Sequence, residues 1–232
     1  MNKRTWILLF SIILAVNIIG GLLKSPWIDH ISKPLIVISL AAYFIFQTNT
    51  FTTPLKKWIL AALFFSWAGD VLLMFQLNDS LFFLLGLSAF LIAHIFYIIF
   101  FHHVRVMENI RRNPWLLLVV VVYYAVLVSL LSPYLGEMKL PVRIYGIVIS
   151  FMLMLAMHMQ FIKNKQAGLW MVSGALLFVI SDSVLAINKF YQSFELAGTL
   201  IMLTYGLAQL FIVEGAIQYI RKKDEEKKSV NN

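Results

Sequence analysis

The 232-residue chain is 61% hydrophobic and only 13% charged; a soluble domain carries about 25% charged residues, so this chain cannot cover a water-facing surface with polar groups. It has no cysteine, which excludes disulfides, thiolate metal ligands and a cysteine nucleophile. Its net charge of +8 lies in short segments between apolar runs, which is how a membrane protein encodes orientation and not how a nucleic-acid-binding surface is built.

Crossing the hydrocarbon core takes roughly 20 apolar residues. Runs of that kind fall near residues 6–23, 34–47, 58–77, 81–101, 115–132, 141–162, 168–188 and 196–219. The chain is therefore predicted to be all-α, a polytopic membrane bundle of about eight transmembrane helices. Residues 1–220 read as one membrane domain, and residues 221–232 as a charged, disordered cytoplasmic tail. The first run follows Lys3 and Arg4 as a signal peptide would, yet it lacks a small-x-small cleavage site and is too long for an h-region. The second is short and opens at Pro34, whose missing N–H costs nothing at a helix start. Loop charge sets the orientation. One set of span ends carries Lys3, Arg4, Lys56, Lys57, Arg105, Arg111, Arg112, Lys163, Lys165 and the five basic residues of the tail. The other carries only Lys24, Lys33, Lys139, Arg143 and Lys189. Both termini are expected on the cytoplasmic side of an integral, multi-pass protein of a bacterial cytoplasmic (inner) membrane.

The chain also resembles itself at an offset of 112 residues. Gly69-Asp70-Val71-Leu72-Leu73 answers to Ser181-Asp182-Ser183-Val184-Leu185; Gly86 pairs with Gly198, Tyr97 with Gln209 and Lys33 with Tyr145. Spans three and four thus echo seven and eight, which suggests a parallel four-plus-four repeat about an axis along the membrane normal. In such a repeat the two aspartates are symmetry mates facing one central cavity.

Of the eleven acidic residues, Asp70, Asp182 and, near a cytoplasmic end, Glu214 fall inside apolar spans. An ionisable group deep in a bilayer costs at least ~2.5–3.5 kcal/mol on insertion scales, so each such group calls for a function or a partner. Counting from the span ends puts Asp70 and Asp182 at nearly the same depth, about 10 Å below the outer boundary at the ~1.5 Å rise of a helix. Two carboxylates facing one pocket do not readily ionise together, so one would donate a proton and the other act as base or stabilise positive charge. The alternatives are interhelical hydrogen bonds or an ion pair with Lys33 or Lys189. Lys33 itself reads either as a cation for a lipid phosphate or as a snorkelling boundary residue, and Asn188 with Lys189 carries the same ambiguity. His94 and Tyr97 share one face of span four, and Tyr205 and Gln209 one face of span eight; each pair either lines the cavity or joins helices. His158 and the pair His102-His103 read as surface residues near the cytoplasmic boundary. Serine-hydrolase, zinc-protease and phosphate-loop signatures are absent.

These residues are similar to those of the YhhN family of lysoplasmalogenases, multi-span membrane enzymes. The resemblance runs in order through Lys33-Pro34-Leu35, Gly69-Asp70-Val71-Leu72-Leu73-Met74, Gly86-Leu87, Ala89-Phe90-Leu91 and Ala93-His94 to Tyr97. It continues at Pro141, Tyr145, Leu177-Phe178, Ser181-Asp182-Ser183, Lys189-Phe190, Tyr205 and Ala208-Gln209, and leaves the first span without a matching motif. It implies cleavage of the vinyl ether bond of a lysophospholipid-type substrate, a lysoplasmalogen, within membrane lipid. The products would be a fatty aldehyde and a glycerophospho-alcohol. Asp70 and Asp182 would be the catalytic acid–base pair, with no cofactor, no metal and no nucleic acid involved. Lys33, His94, Tyr97, Tyr145, Ser183, Asn188, Lys189, Tyr205 and Gln209 would surround the substrate. The competing expectations are a proton-coupled transporter or lipid-binding membrane protein, and a hydrolase of a different ether or ester lipid. An intramembrane aspartyl protease is disfavoured, since Trp67 stands where its motif wants glycine and its Pro-Ala-Leu tripeptide is missing.

Overall fold

Residues 2–231 are described by a computed structural model of the chain. Eight helices are long and apolar enough to cross a membrane, and no strand occurs among the described residues. They are α1 (Lys3–Leu22), α2 (Pro26–Thr48), α3 (Leu55–Met74), α4 (Ser80–Met107), α5 (Pro114–Leu131), α6 (Lys139–Met157), α7 (Lys165–Ala186) and α8 (Ala197–Asn231). Local chemistry fixes the breaks. Asp79, Asn113 and Asn164 cap α4, α5 and α7 by accepting from the backbone N–H of Leu81, Trp115 and Ala167. Pro26 and Pro114 open α2 and α5, where a proline lacks nothing. A 3₁₀ turn, His158–Phe161, follows α6, and a π-turn, Ile187–Tyr191, follows α7.

The most extensive packing joins α3 to α4 and α7 to α8. Much of the rest is matched between halves: α1 on α2 and α5 on α6, α2 on α3 and α6 on α7, α4 on α6 and α8 on α2; the packing of α1 on α8 has no counterpart of similar extent between α5 and α4. Apolar side chains do not drive helices together in lipid, so tight association needs small residues that let backbones approach. Gly174 supplies one such place, since a Cβ there would come within 2.8 Å of the Ala208 carbonyl oxygen and the Ile212 nitrogen of α8. α5 lies at the periphery, with Leu117, Leu118, Val119, Val121, Val122 and Val126 facing outward.

The structure changes three boundary expectations. α2 begins at Pro26, so Lys33 sits two turns inside the helix and Pro34 follows it in the interior. Asp29, His30, Ser32 and Lys33 make those added turns too polar for a hydropathy reading, yet Ser32 bonds the Ile28 carbonyl at 2.6 Å as a helical residue does. Asp70 and Asp182 each stand four residues before the end of their α-helix, matched in depth but about one turn from the end, not two. Finally, α8 runs on through the charged segment after residue 220 to Asn231. Lys223–Glu226 at 3.1 Å and Lys228–Asp224 at 2.7 Å are helix-face pairs, which a composition argument does not count.

Candidate active site

A cavity of about 290 Å³ opens at the end of the bundle away from the termini. It gathers the ends of α1, α3 and α7 with the starts of α2 and α8, and both Asp70 and Asp182 line it. Asp70 is 2% exposed and the Asp182 side chain 13%, so both are largely buried while lining the cavity. Gly69 shapes the wall beside Asp70: the Phe90 ring lies within 2.6 Å of where a Cβ would stand, so any side chain there would push α4 off α3.

Each carboxylate rests on a tyrosine from a different helix. Tyr205 of α8 donates to Asp70 Oδ2 at 2.7 Å, and Tyr145 of α6 donates to Asp182 Oδ2. His94 Nε2 lies 3.8 Å from the same Asp182 oxygen, and among the described residues neither ring nitrogen of this fully buried histidine meets a hydrogen-bond partner. Its ring packs edge-on against Phe178 at 4.6 Å and Tyr145 at 5.4 Å between centroids. Phe90 and Phe178 contact the Tyr205 ring edge-on in turn. An aromatic lattice from α4, α6, α7 and α8 thus lies behind the two acids, reaching the cavity itself at Phe90 and Tyr205.

Lys33 and Asp29 line the cavity from successive turns of α2, and among the described residues neither forms an ion pair. The ion pair between an aspartate and Lys33 or Lys189 is therefore not made. Asn188, on the π-turn, also lines the cavity. Lys189 does not; it donates to Gln76 at 3.2 Å and sits over the Phe83 ring. Ser183 faces away, bonded to Tyr123 of α5 at 2.9 Å. Tyr97 and Gln209 are fully buried behind the wall and bond to each other, as their equivalence at the 112-residue offset leaves open. Of the residues singled out from sequence, Lys33, Asp70, Asp182, Asn188 and Tyr205 line the cavity; Tyr145 and His94 adjoin it through Asp182. His158 is 2% exposed, not a surface residue, with its Nδ1 2.8 Å from the Met154 carbonyl.

Sequence reasoning missed Asn17, Asp29 and Gln76, all cavity-lining. Asn17 donates to Asp29 and Ser32, both at 2.9 Å, so α1 braces the start of α2. A lone amide in an otherwise apolar run was the available signal for Asn17. Asp29 was signalled by its i,i+4 spacing to Lys33. Gln76, beyond the end of α3, carries none.

Fold and site together define a multi-pass membrane protein with an acidic, phenol-backed cavity at one end of its helix bundle. A sequence profile of the YhhN family matches residues 28–216, and the chain belongs to that family. It is 30% identical over 203 residues to the human protein named lysoplasmalogenase TMEM86A, covering 84% of this chain and 81% of that one. It is 32% identical over 197 residues to human lysoplasmalogenase TMEM86B, covering 83% and 76%. A lysoplasmalogenase of Mycobacterium tuberculosis is 28% identical over 163 residues, covering 69% of this chain and 60% of that protein. No solved structure matches the chain significantly.

Proposed function

We propose that this chain is a membrane-embedded lysoplasmalogenase that hydrolyses the vinyl ether bond of a lysophospholipid by acid–base catalysis between Asp70 and Asp182. The observation that carries the reading is the convergence of these two carboxyl groups on one cavity, where among the described residues no lysine or arginine pairs with either. An isolated pair of this kind is costly in a bilayer and is retained where protons are moved. A vinyl ether hydrolyses when an acid protonates its β-carbon, leaving an oxocarbenium ion at the carbon bonded to oxygen. One carboxylic acid supplies that proton. The partner carboxylate stabilises the cation and takes a proton from the water that attacks it. The resulting hemiacetal collapses to a fatty aldehyde and a glycerophospho-alcohol. Glycosidases pass through a related cation between two carboxyl groups.

The rest of the cavity suits such a substrate. The Lys33 ammonium is placed to meet the lipid phosphate near the mouth, while Leu73, Leu185 and Met202 give an apolar lining for the alkenyl chain. With fourteen basic residues at one set of span ends and five at the other, both termini face the cytoplasm and the cavity opens toward the outer leaflet of the cytoplasmic membrane. The partly matched packing of the two halves, α1 on α8 apart, supports a parallel repeat that brings α3 and α7 to equivalent places.

The test supplies the purified protein in nanodiscs with a lysoplasmalogen and, separately, with the matching ester-linked lysophospholipid. Aldehyde from the first and no fatty acid from the second is the expected result. Fatty acid from the ester lipid would move the assignment to another lipid bond, and substrate flux across liposomes with no product would replace the enzyme by a carrier.

A further inference from the structure

The two aspartates share a cavity but not an environment, and the difference decides which holds the negative charge. Asp70 accepts from Tyr205 of α8; Lys33 and Asp29 of α2 face it across the cavity, and Asp182 faces it from α7. From α4 it meets the Phe90 ring at its own glycine neighbour, and the titratable group of that helix, His94, stands beside Asp182 instead. Tyr205 is not free to turn. Gln209 Nε2 donates to its hydroxyl oxygen at 3.4 Å, and Gln209 Oε1 accepts from Tyr97. Tyr97 is fully buried, and among the described residues its hydroxyl meets only Gln209.

This terminal phenol gives the chain its direction. If the amide were reversed, Tyr205 would give its hydrogen to Gln209 and withdraw it from Asp70. The Tyr97 hydrogen would then be left in the core without an acceptor, which costs more than a bond exchanged with water. The direction is therefore Tyr97 to Gln209 to Tyr205 to Asp70, each bond polarising the next. Asp182 has no such support. Among the described residues Tyr145 is its one hydrogen-bond donor, and none of them bonds the Tyr145 hydroxyl in turn. His94 stands at 3.8 Å without a bond, and Lys189 is turned to Gln76 and Phe83.

We infer that Asp70 is the standing carboxylate and Asp182 the proton donor, and that Gln209 and Tyr97, which never reach the cavity, are positioning residues that maintain this division. The inference rests on the hydrolase reading above. Asp182 gives its proton to the β-carbon and becomes a carboxylate. Water adds to the oxocarbenium carbon as Asp70 takes its proton, forming the hemiacetal. Asp70 then returns that proton to the departing glycerol oxygen, and Asp182 recovers one from the hemiacetal hydroxyl. Both groups end as they began, with one water consumed.

Aldehyde release measured across pH tests the assignment, using the full chain in nanodiscs. Gln209→Glu keeps the side-chain shape but offers only acceptors when ionised, so Tyr205 turns away from Asp70. Its kcat should fall about 10-fold, the loss of one hydrogen bond to a charged group, with KM little changed. The acid-side fall of its activity should move to higher pH while the alkaline side stays in place. Tyr97→Phe should move the same side by less, and Tyr145→Phe should move only the alkaline side. If the Gln209 variant fails to fold, Tyr97→Phe, which deletes one buried hydroxyl, carries the test. Movement of the alkaline side alone in the Gln209 or Tyr97 variant would reverse the two roles and overturn the inference; a kcat loss with neither side moved would reduce the pair to packing and overturn it too. A wild type that releases no aldehyde is a separate result, which overturns the hydrolase reading itself.

Discussion

The two ends of the bundle treat buried carboxylates in opposite ways. At the end that carries the termini, Glu214 is 4% exposed and receives Lys3, Tyr43 at 2.8 Å and Gln218 at 2.7 Å. Glu108, just past α4, is held by Lys223 at 2.7 Å, by the Lys163 N–H at 3.2 Å and by Tyr219 at 3.3 Å. At the far end, among the described residues, Asp70 and Asp182 take hydrogen bonds from phenols, pair with no lysine or arginine, and open onto a cavity. A buried acid with a cation ties helices together; a buried acid without one is available for chemistry. Burial alone does not separate the two cases, because Glu214 and Asp70 are almost equally hidden.

The largest effect that would sharpen this contrast is on turnover. Asp70→Asn or Asp182→Asn should lower it by ~10²–10⁴, the range of general acid–base catalysis, with the thermal transition unchanged or raised, since a costly group has been neutralised. Near-normal activity in either variant would erase the distinction. Glu214→Leu should do the reverse. It strips the Tyr43 hydroxyl and Gln218 of their acceptor and should cost ~1–3 kcal/mol of stability by thermal or denaturant unfolding, while activity per folded molecule is retained. Lys33→Ala should act between these, raising KM about 10-fold through loss of a phosphate contact and leaving kcat alone.

The smallest effect belongs to Glu108. Burial pushes its pKa up, but the hydrogen bonds from Lys223 and the Lys163 N–H outweigh burial and leave it below the ordinary glutamate value. A folded-state value depressed in this way stabilises the fold at pH above the unfolded glutamate value, and the contribution is lost as pH falls through the lower folded value. Glu108→Gln should therefore reduce the melting temperature slightly at neutral pH and not at all in strong acid. An equal reduction at both would deny the ion pair its role.

Sequence made the bundle legible because eight apolar runs need no tertiary knowledge, and it exposed Asp70 and Asp182 because a carboxylate inside such a run is conspicuous. It hid what hydropathy counts against a membrane helix. The first two turns of α2 carry Asp29, His30, Ser32 and Lys33, polar residues that hydropathy counts against a span and two of which line the cavity. It also could not say which side of a wall a polar residue faces. Tyr97 and Gln209 looked equivalent to Tyr205 as lining residues, and only the meeting of α4 with α8 places them behind it. Ser183 adjoins Asp182 in sequence yet turns to α5, since consecutive positions on a helix point in different directions.

The most direct test of the difference between the two ends is aldehyde release from a lysoplasmalogen by four proteins brought to equal folded concentration: wild type, Asp70→Asn, Asp182→Asn and Glu214→Leu. Release by the wild type and the Glu214 variant, and by neither aspartate variant, is the predicted result. Release by an aspartate variant at the wild-type rate, or its loss with Glu214 alone, would contradict the placement of the chemistry at the uncompensated end.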